Sequence, residues 1–502
     1  MADNLKSKFV KGAFWAFSER LCNQIAAFVV GIILARLLSP NDYGTIAILS
    51  VFTAIAGVLA DSGFGNALIQ KKDASEEDFN SVFYCSLGLT AVIYGILFLC
   101  APSVAGFYGR EELCPILRVL SLTLFFYAIN SIQNAELNRK LLFHLSFRIS
   151  LISTIASAVT GISLAYMGFG VWTLVWTTIV SGLVGVVTRW VIIAWRPRLM
   201  FSLSALKPLF SFGWKIACVG LINTVFNNIH GLIIGKIYTP ADLSFYNRGR
   251  SFPELIMVNV DGTLGRVAYP TLAKLQSDRV KMREAMRRMM VVSTYFIFPM
   301  MMFFAISSDK IILLLLGEKW LSASPYAAIA CFTFALWPFH TINLQGIQAV
   351  GRSDVFLKLE LIKKMIALIV LVVFLRQGIL LWCAVVAFVS SPLSVIINSW
   401  PNRKLFDYTL KMQLKDVFPT MVVSIVAMTP ALALNFFPVQ PSGFIMAMML
   451  LSEGCLVAIL YLLLSYFFRL RGLKELAILS KPFVASRFPF ANRFIKYMEK
   501  VK

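Results

Sequence analysis

The sequence predicts an all-α polytopic membrane protein of fourteen transmembrane helices, twelve of them in two six-helix repeats. Three observations point there. First, 58% of its 502 residues are hydrophobic and the mean hydropathy is +0.76, more apolar surface than a soluble fold could keep from water. Second, 35 of the 47 Lys and Arg residues fall in one set of alternate joints between apolar runs and only 9 in the other, with Arg20, Lys215 and Arg266 inside runs. Basic loops resist export, so this pattern places the richer joints and both termini in the cytoplasm. Third, the chain repeats itself at an offset of 200 residues: Leu21, Asn23, Gly31, Ile33, Pro40 and Asp42 meet Leu221, Asn223, Gly231, Ile233, Pro240 and Asp242. Ser39 likewise meets Thr239, and Arg36 meets Lys236. An even number of spans per repeat gives both the same orientation, and substrate sites commonly lie between such repeats.

At about 20 residues per span, the helices fall near residues 12–34, 44–68, 79–103, 115–135, 147–167, 170–193, 210–235, 251–272, 290–309, 322–348, 356–375, 378–399, 417–436 and 442–468. Lys6, Lys8 and Lys11 precede the first run as in a signal peptide, but the run continues to about Leu34 without a small-residue cleavage site, so it reads as a retained span. Residues 1–200 form a first lobe, 201–405 a second, 406–468 a final helix pair and 469–502 a basic cytoplasmic tail. Ser277 to Val291 places Met282, Met286, Met289 and Met290 on one side and Arg and Lys mostly elsewhere, the pattern of a helix lying on the membrane surface; the tail from Arg469 to Lys502 reads the same way.

Several function classes are excluded. The net charge of +22 is dealt out in small parcels between apolar runs, which suits lipid headgroups and not nucleic acid. Eight cysteines without a CxxC pair and three scattered histidines suggest neither a metal site nor a His-based triad. External joints such as YMGFG, RQG and NFFPVQPSG are too short to hold a catalytic domain, which counts against a glycan polymerase or ligase. GLIIGKI, from Gly231, falls one residue short of a phosphate loop and lacks its hydroxyl.

Function is therefore sought among polar groups inside spans. A charge at a span centre costs about 2.5–3.5 kcal/mol on insertion scales and needs a partner, a hydrated cavity or an escape to the interface. In the first span Ala16, Arg20, Asn23, Gln24, Ala27 and Gly31 share a polar or small face, which should line a hydrated cavity; the alternative for Arg20 is pairing with a buried carboxylate. The seventh span shows a similar face in Gly220, Asn223, Thr224, Asn227 and Gly231, with Lys215 off that face, where it could snorkel or reach the cavity. In the eighth span Arg250, Glu254 and Asp261 share one side, and Arg248, Asn259 and Arg266 nearly the opposite one. One side should meet the cavity and the other a neighbouring helix. The intramembrane carboxylates Asp61, Glu254, Asp261 and Glu453 are candidates for coupling to H+ or Na+, or structural acids held by hydrogen bonds.

The stretches ARLLSPNDYG (from Ala35), LADSGFGNALIQKK (Leu59), FSLSALKPLFSFG (Phe201), YNRGRS (Tyr246), RVAYPTLAKLQ (Arg266) and LGEKW (Leu316) carry a resemblance. In this order, the chain resembles the polysaccharide flippases of the multidrug/oligosaccharidyl-lipid/polysaccharide (MOP) exporter superfamily, in the branch of colanic acid and O-antigen repeat-unit flippases of bacterial inner membranes. The resemblance implies two pseudo-symmetric six-helix lobes around a central cavity plus a final helix pair. It implies no enzyme activity and no cofactor, but a transporter that moves an undecaprenyl-diphosphate-linked oligosaccharide to the periplasmic leaflet. It also implies membrane lipids, polysaccharide polymerase and chain-length machinery as partners. Arg20, Asn23, Gln24, Lys215, Asn223, Asn227 and Arg266 are then the substrate-binding candidates. The alternative within the superfamily is a small-molecule or drug cation antiporter, which would need a cavity dominated by carboxylates.

Overall fold

The computed structural model describes residues 2–61, 63–71, 73–140, 142–435 and 443–484, and every regular element among them is helical. The external joint read at 435–443 and the end of the tail therefore lie mostly outside the described residues. Twelve stretches of helix are long and apolar enough to cross a membrane, so the chain is a multi-pass membrane protein. The other two segments read as spans, 251–272 and 356–375, are also helical but do not meet that measure: the first is interrupted by Glu254, Asn259, Asp261 and Arg266, and the second carries Lys358, Glu360, Lys363 and Lys364 close together.

The chain divides into two compact units, Met1–Ser244 and Phe245–Lys502. The first holds α1 (Ala2–Leu37), α2 (Pro40–Asp61), α3 (Phe64–Gln70), α4 (Glu76–Tyr108), α5 (Leu113–Leu120), α6 (Thr123–Arg139), α7 (Phe143–Tyr166), α8 (Val171–Ile192) and α9 (Leu203–Ile237). The run read as one span at 44–68 is broken after Asp61, where Gly63 at φ 69° takes the left-handed conformation that a side chain resists. Polar caps set the helix ends. Ser75 and Asp78 form a reciprocal capping box at the start of α4, and Lys71 reaches the same Asp78 at 2.6 Å. Arg139 donates to the Leu68 and Lys71 carbonyls at the end of α3. Arg198 pairs with Glu76 at 2.9 Å. Several cations of the basic joints are thus engaged by protein groups.

The 200-residue repeat reappears as local geometry. Ser39 Oγ donates to Asp42 at 2.6 Å and accepts from the Asp42 N–H at 3.2 Å; Thr239 and Asp242 make the same two bonds at the same lengths. Each box opens the helix begun by Pro40 or Pro240, where a missing N–H costs nothing. Within this unit α9 lies along α2 through small residues. A methyl placed on Gly44 would stand 1.8 Å from the Pro240 carbonyl oxygen, and one on Gly63 2.4 Å from that of Gly213. Backbones approach this closely only where no side chain intervenes.

α10 (Pro240–Lys274) runs from the first unit into the second. The second continues with α11 (Arg279–Ile306), α12 (Ser308–Leu316), α13 (Ser324–Ala335), α14 (Trp337–Ala349), α15 (Ser353–Phe374), α16 (Ile379–Val385), α17 (Ser391–Ser399), α18 (Asn402–Phe406), α19 (Leu410–Ala427), α20 (Thr429–Asn435), α21 (Gly443–Phe467) and α22 (Arg471–Val484). Asp278 caps α11 by accepting from the Val280 and Lys281 N–H groups, and those bonds together with the Lys281 ammonium hold its carboxyl below the usual range.

The surface-helix reading of 277–291 is corrected. The segment is the first half of α11, and Met282, Met286 and Met290 are fully buried among Leu272, Phe339, Ile342, Phe406 and Tyr408. A methionine stripe suits an irregular core as well as a membrane surface, and here the core takes it. The opposite cations are also used: Arg287 binds Asp416 of α19 at 2.6 and 2.8 Å, and Arg471 of α22 reaches Glu284 at 3.2 Å. The start of the tail is therefore docked on α11, with Leu473 and Ala477 turned to the protein. Residues 485–502 of the tail lie outside the described residues.

The final helix pair is fastened by buried polar groups. Asn343 of α14 and Gln413 of α19 exchange two amide bonds of 2.9 and 3.0 Å, and Asn402 donates to the same Asn343 oxygen at 2.6 Å. Lys310 meets the buried Glu453 of α21 at 2.6 Å.

Candidate functional site

In the first unit a cleft of about 780 Å³ opens between α2, α6 and α9. α6 supplies its polar wall: Asn130, Asn134 and Asn138 stand at i, i+4 and i+8 and so share one face, with Ser131 and Tyr127 beside them. Asp61, at the end of α2, accepts from Ser131 Oγ at 2.8 Å, and Gly65 leaves the space for this bond. Behind α6 a second cavity of about 410 Å³ is lined almost wholly by hydroxyls and amides, with Glu19 and Arg189 as opposite charges. Arg189 donates to Asn134 at 3.3 Å. Thr123, Tyr127, Asn130 and Thr178 line both spaces. Such a lining can hydrate an ion or exchange hydrogen bonds with sugar hydroxyls.

The predicted residues divide into groups. Arg20 is exposed on α1 and forms no ion pair among the described residues. Asn23, three residues on, is occupied: it donates to Ser150 at 2.5 Å and accepts from Thr154 at 3.2 Å, which fastens α1 to α7. Gln24 is half-buried. Lys215, Asn223 and Asn227 are exposed on α9. Of the predicted residues, Asp61 lines the larger cleft, with Gly220 from the seventh-span face.

The second unit decides which side of α10 turns inward. Arg250 binds Glu254 and the Tyr246 hydroxyl, both at 3.2 Å, and lies 5.4 Å from the Phe334 ring centre; Asp261 accepts from Thr341 of α14. On the other side Arg248 is half-buried, its guanidinium 5.8 Å from the Trp320 ring centre, while Asn259 and Arg266 are exposed and Arg266 donates to the Gly262 carbonyl of its own helix at 2.8 Å. Asp261 lines a third cavity, of about 450 Å³, with His340, Glu360 and Lys363.

Sequence reasoning missed Glu19, Arg189 and the asparagines of α6. Glu19 is passed over beside Arg20, and Arg189, in the last turn of the sixth span, reads as part of the basic joint that follows. The i, i+4, i+8 spacing of Asn130, Asn134 and Asn138 was a readable signal, since three amides on one face of an apolar run seldom face hydrocarbon.

Similarity to known proteins gives the family. A family profile described as "Polysaccharide biosynthesis protein" matches residues 33–325, more than half the chain. The teichuronic acid biosynthesis protein TuaB of Bacillus subtilis (strain 168) is 24% identical over 87% of this chain and 92% of its own. The lipopolysaccharide biosynthesis protein WzxC of Escherichia coli (strain K12) is 24% identical over 84% of this chain and 88% of its own. Among solved structures, the lipid II flippase MurJ in an inward closed conformation superposes with a TM-score of 0.69 at 14% identity, over 90% of this chain and 98% of its own. That likeness concerns the fold. With a family match over more than half its length and twelve helices able to cross a membrane, the chain belongs to the polysaccharide biosynthesis protein family.

Proposed function

We propose that this protein moves an undecaprenyl-diphosphate-linked oligosaccharide repeat unit from the cytoplasmic to the periplasmic leaflet of a bacterial inner membrane, for surface polysaccharide synthesis. The observation that carries the reading is the state of three cations that lie inside spans. Arg20, Lys215 and Arg266 are all exposed, and none has an ion pair with a carboxylate among the described residues. Unpaired guanidinium and ammonium groups within a span call for water or an anion, and a desolvated diphosphate calls for the multiple donors that Arg provides. All three lie towards the helix ends that the loop charges assign to the cytoplasm, the side on which a lipid-linked precursor is loaded. A drug-cation antiporter would need the opposite sign of charge there.

In this reading the fourteen helices, with both ends cytoplasmic, form lobes of residues 1–200 and 201–405 that alternate access around the headgroup while the lipid tail stays in the bilayer. Residues 406–468 add the final pair and 469–502 the tail. Gln24, Asn223 and Asn227 extend the polar path, Asn23 positions α1, and Asp61, Glu254 and Asp261 are the carboxylates available to an H+ or Na+ coupling step. An inside-negative potential assists an outward-moving anion by about 2.3 kcal/mol per charge per 100 mV. The TuaB and WzxC names place relatives in the synthesis of surface glycans, which supports the substrate class.

The test is Arg20→Ala and Arg20→Lys in cells lacking the native gene, scored for surface polysaccharide and for accumulated lipid-linked glycan at matched protein abundance. Arg20→Ala is expected to abolish export and Arg20→Lys to retain part of it. Full surface polysaccharide from Arg20→Ala would refute the anchor role, and a gene deletion that accumulates no lipid-linked glycan would refute the function.

A further inference from the structure

The third cavity lies wholly within the second unit, and neither the family resemblance nor the unpaired cations account for it. Its walls come from α10, α14, α15 and α17, and its volume of about 450 Å³ is within the range of small-ligand sites. It runs the length of α14, from Trp337 to Gln348, and along the part of α15 nearest the joint at residues 350–352, the end the loop charges place in the cytoplasm.

Its chemistry is specific. Trp337 contributes an indole that is 36% exposed and meets His340 edge to face at 6.1 Å. His340 is in turn held by Asn398 at 3.0 Å. Gln345 brings an amide whose Oε1 is buried and has no hydrogen-bond partner, an acceptor waiting for a donor. Lys363 and Glu360, three residues apart, neutralise each other at 2.5 Å, and Asp261 is held by the Thr341 hydroxyl. The formal balance is one positive group against two negative ones. Such a site repels an anion and offers acceptors to hydroxyl hydrogens, beside an aromatic face for an apolar ring surface. Both members of the pair stay partly exposed, at 16% and 30%, so their remaining hydrogen-bonding capacity is open to a polar ligand.

We infer that this cavity is a subsite for an uncharged sugar of the transported oligosaccharide, stacked on Trp337 and hydrogen-bonded to Gln345, Asp261 and the Glu360–Lys363 pair. The inference rests on the glycan-flippase reading above and adds a division of labour to it. Cations that receive the diphosphate belong to α1, α9 and α10, whereas the sugar is read by carboxylates, an amide and an indole of the second unit. A glycan whose sugar at this position is a uronic acid is accordingly a poor substrate.

The experiment has two arms. In the first, purified full-length protein is examined by saturation-transfer NMR with lactose and with glucuronic acid as probes. Lactose is expected to receive saturation from wild type and glucuronic acid several-fold less; Trp337→Ala should reduce the lactose signal about tenfold and Trp337→Phe should restore most of it. Should Trp337→Ala not accumulate as folded protein, Gln345→Leu carries the same comparison. An equal lactose signal in wild type and these variants, or a stronger signal for glucuronic acid, overturns the inference. In the second arm the same variants are expressed in the deletion strain at matched abundance. Reduced export, with accumulation of the lipid-linked glycan, is expected for Trp337→Ala and Gln345→Leu. If the deletion strain accumulates that glycan and both variants export it at the wild-type rate, the subsite is wrong while the flippase reading stands. If the deletion strain accumulates none, the flippase reading fails, and the sugar subsite falls with it.

Discussion

Replacing Lys310 with Met tests whether Glu453 is a structural acid or a coupling group. Glu453 is 1% exposed, its Oε1 lies 2.6 Å from the Lys310 ammonium, and its Oε2 is buried without a partner. Removing the ammonium strands a buried carboxylate, which costs about 3–5 kcal/mol when one member of a buried pair is lost. In thermal unfolding of detergent-purified protein that is a fall of about 3–5 °C, because a chain this long unfolds with an entropy of about 1 kcal/mol/K. Glu453→Gln alone should cost less, because the Lys310 side chain is 24% exposed and its ammonium can turn towards water. The double variant Lys310→Met/Glu453→Gln should recover most of the loss, since neither charge then remains to be solvated. If Glu453 only fastens α21, the double variant also exports glycan normally. An unchanged melting temperature for Lys310→Met, or losses that simply add in the double variant, would show that the pair is not coupled. A stable double variant that fails to export would instead make Glu453 part of the transport cycle.

Two other perturbations follow from the first unit. Gly44→Ala puts a methyl 1.8 Å from the Pro240 carbonyl, so α2 and the start of α10 must separate by over 1 Å; a loss of about 1–3 kcal/mol is expected in thermal unfolding. A melting temperature equal to wild type would mean that this approach is not the native one. Orientation is checked with single cysteines at the exposed positions Glu77 and Glu111, in a protein stripped of its native cysteines. An impermeant maleimide applied to intact cells should label Glu111→Cys and spare Glu77→Cys, and the reverse pattern would invert the topology.

Legibility in the sequence followed the range of the interaction concerned. The Ser39–Asp42 and Thr239–Asp242 boxes were visible as a repeat because a cap is settled within four residues. The break at Gly63 within a span read as continuous needed the backbone angle, since an apolar run looks the same with or without a kink. The Met282–Met290 stripe announced a distinct face, yet periodicity does not say what lies opposite, and the core of the second unit took the place assigned to lipid.

By itself, then, the sequence determined the membrane class, the positions of most spans, the internal repeat and the family, all of which depend on local composition or on neighbours a few residues away. Only the tertiary structure decided that Asn23 is occupied by α7 while Arg20 forms no ion pair among the described residues, and that Asp261 rather than Arg266 turns into the second unit. It also brought Trp337, Gln345, Glu360 and Lys363 to one cavity. Those outcomes depend on which helix stands opposite, over separations of more than a hundred residues in the case of Asn23 and α7, and a polar face reveals its role only when its neighbour is known.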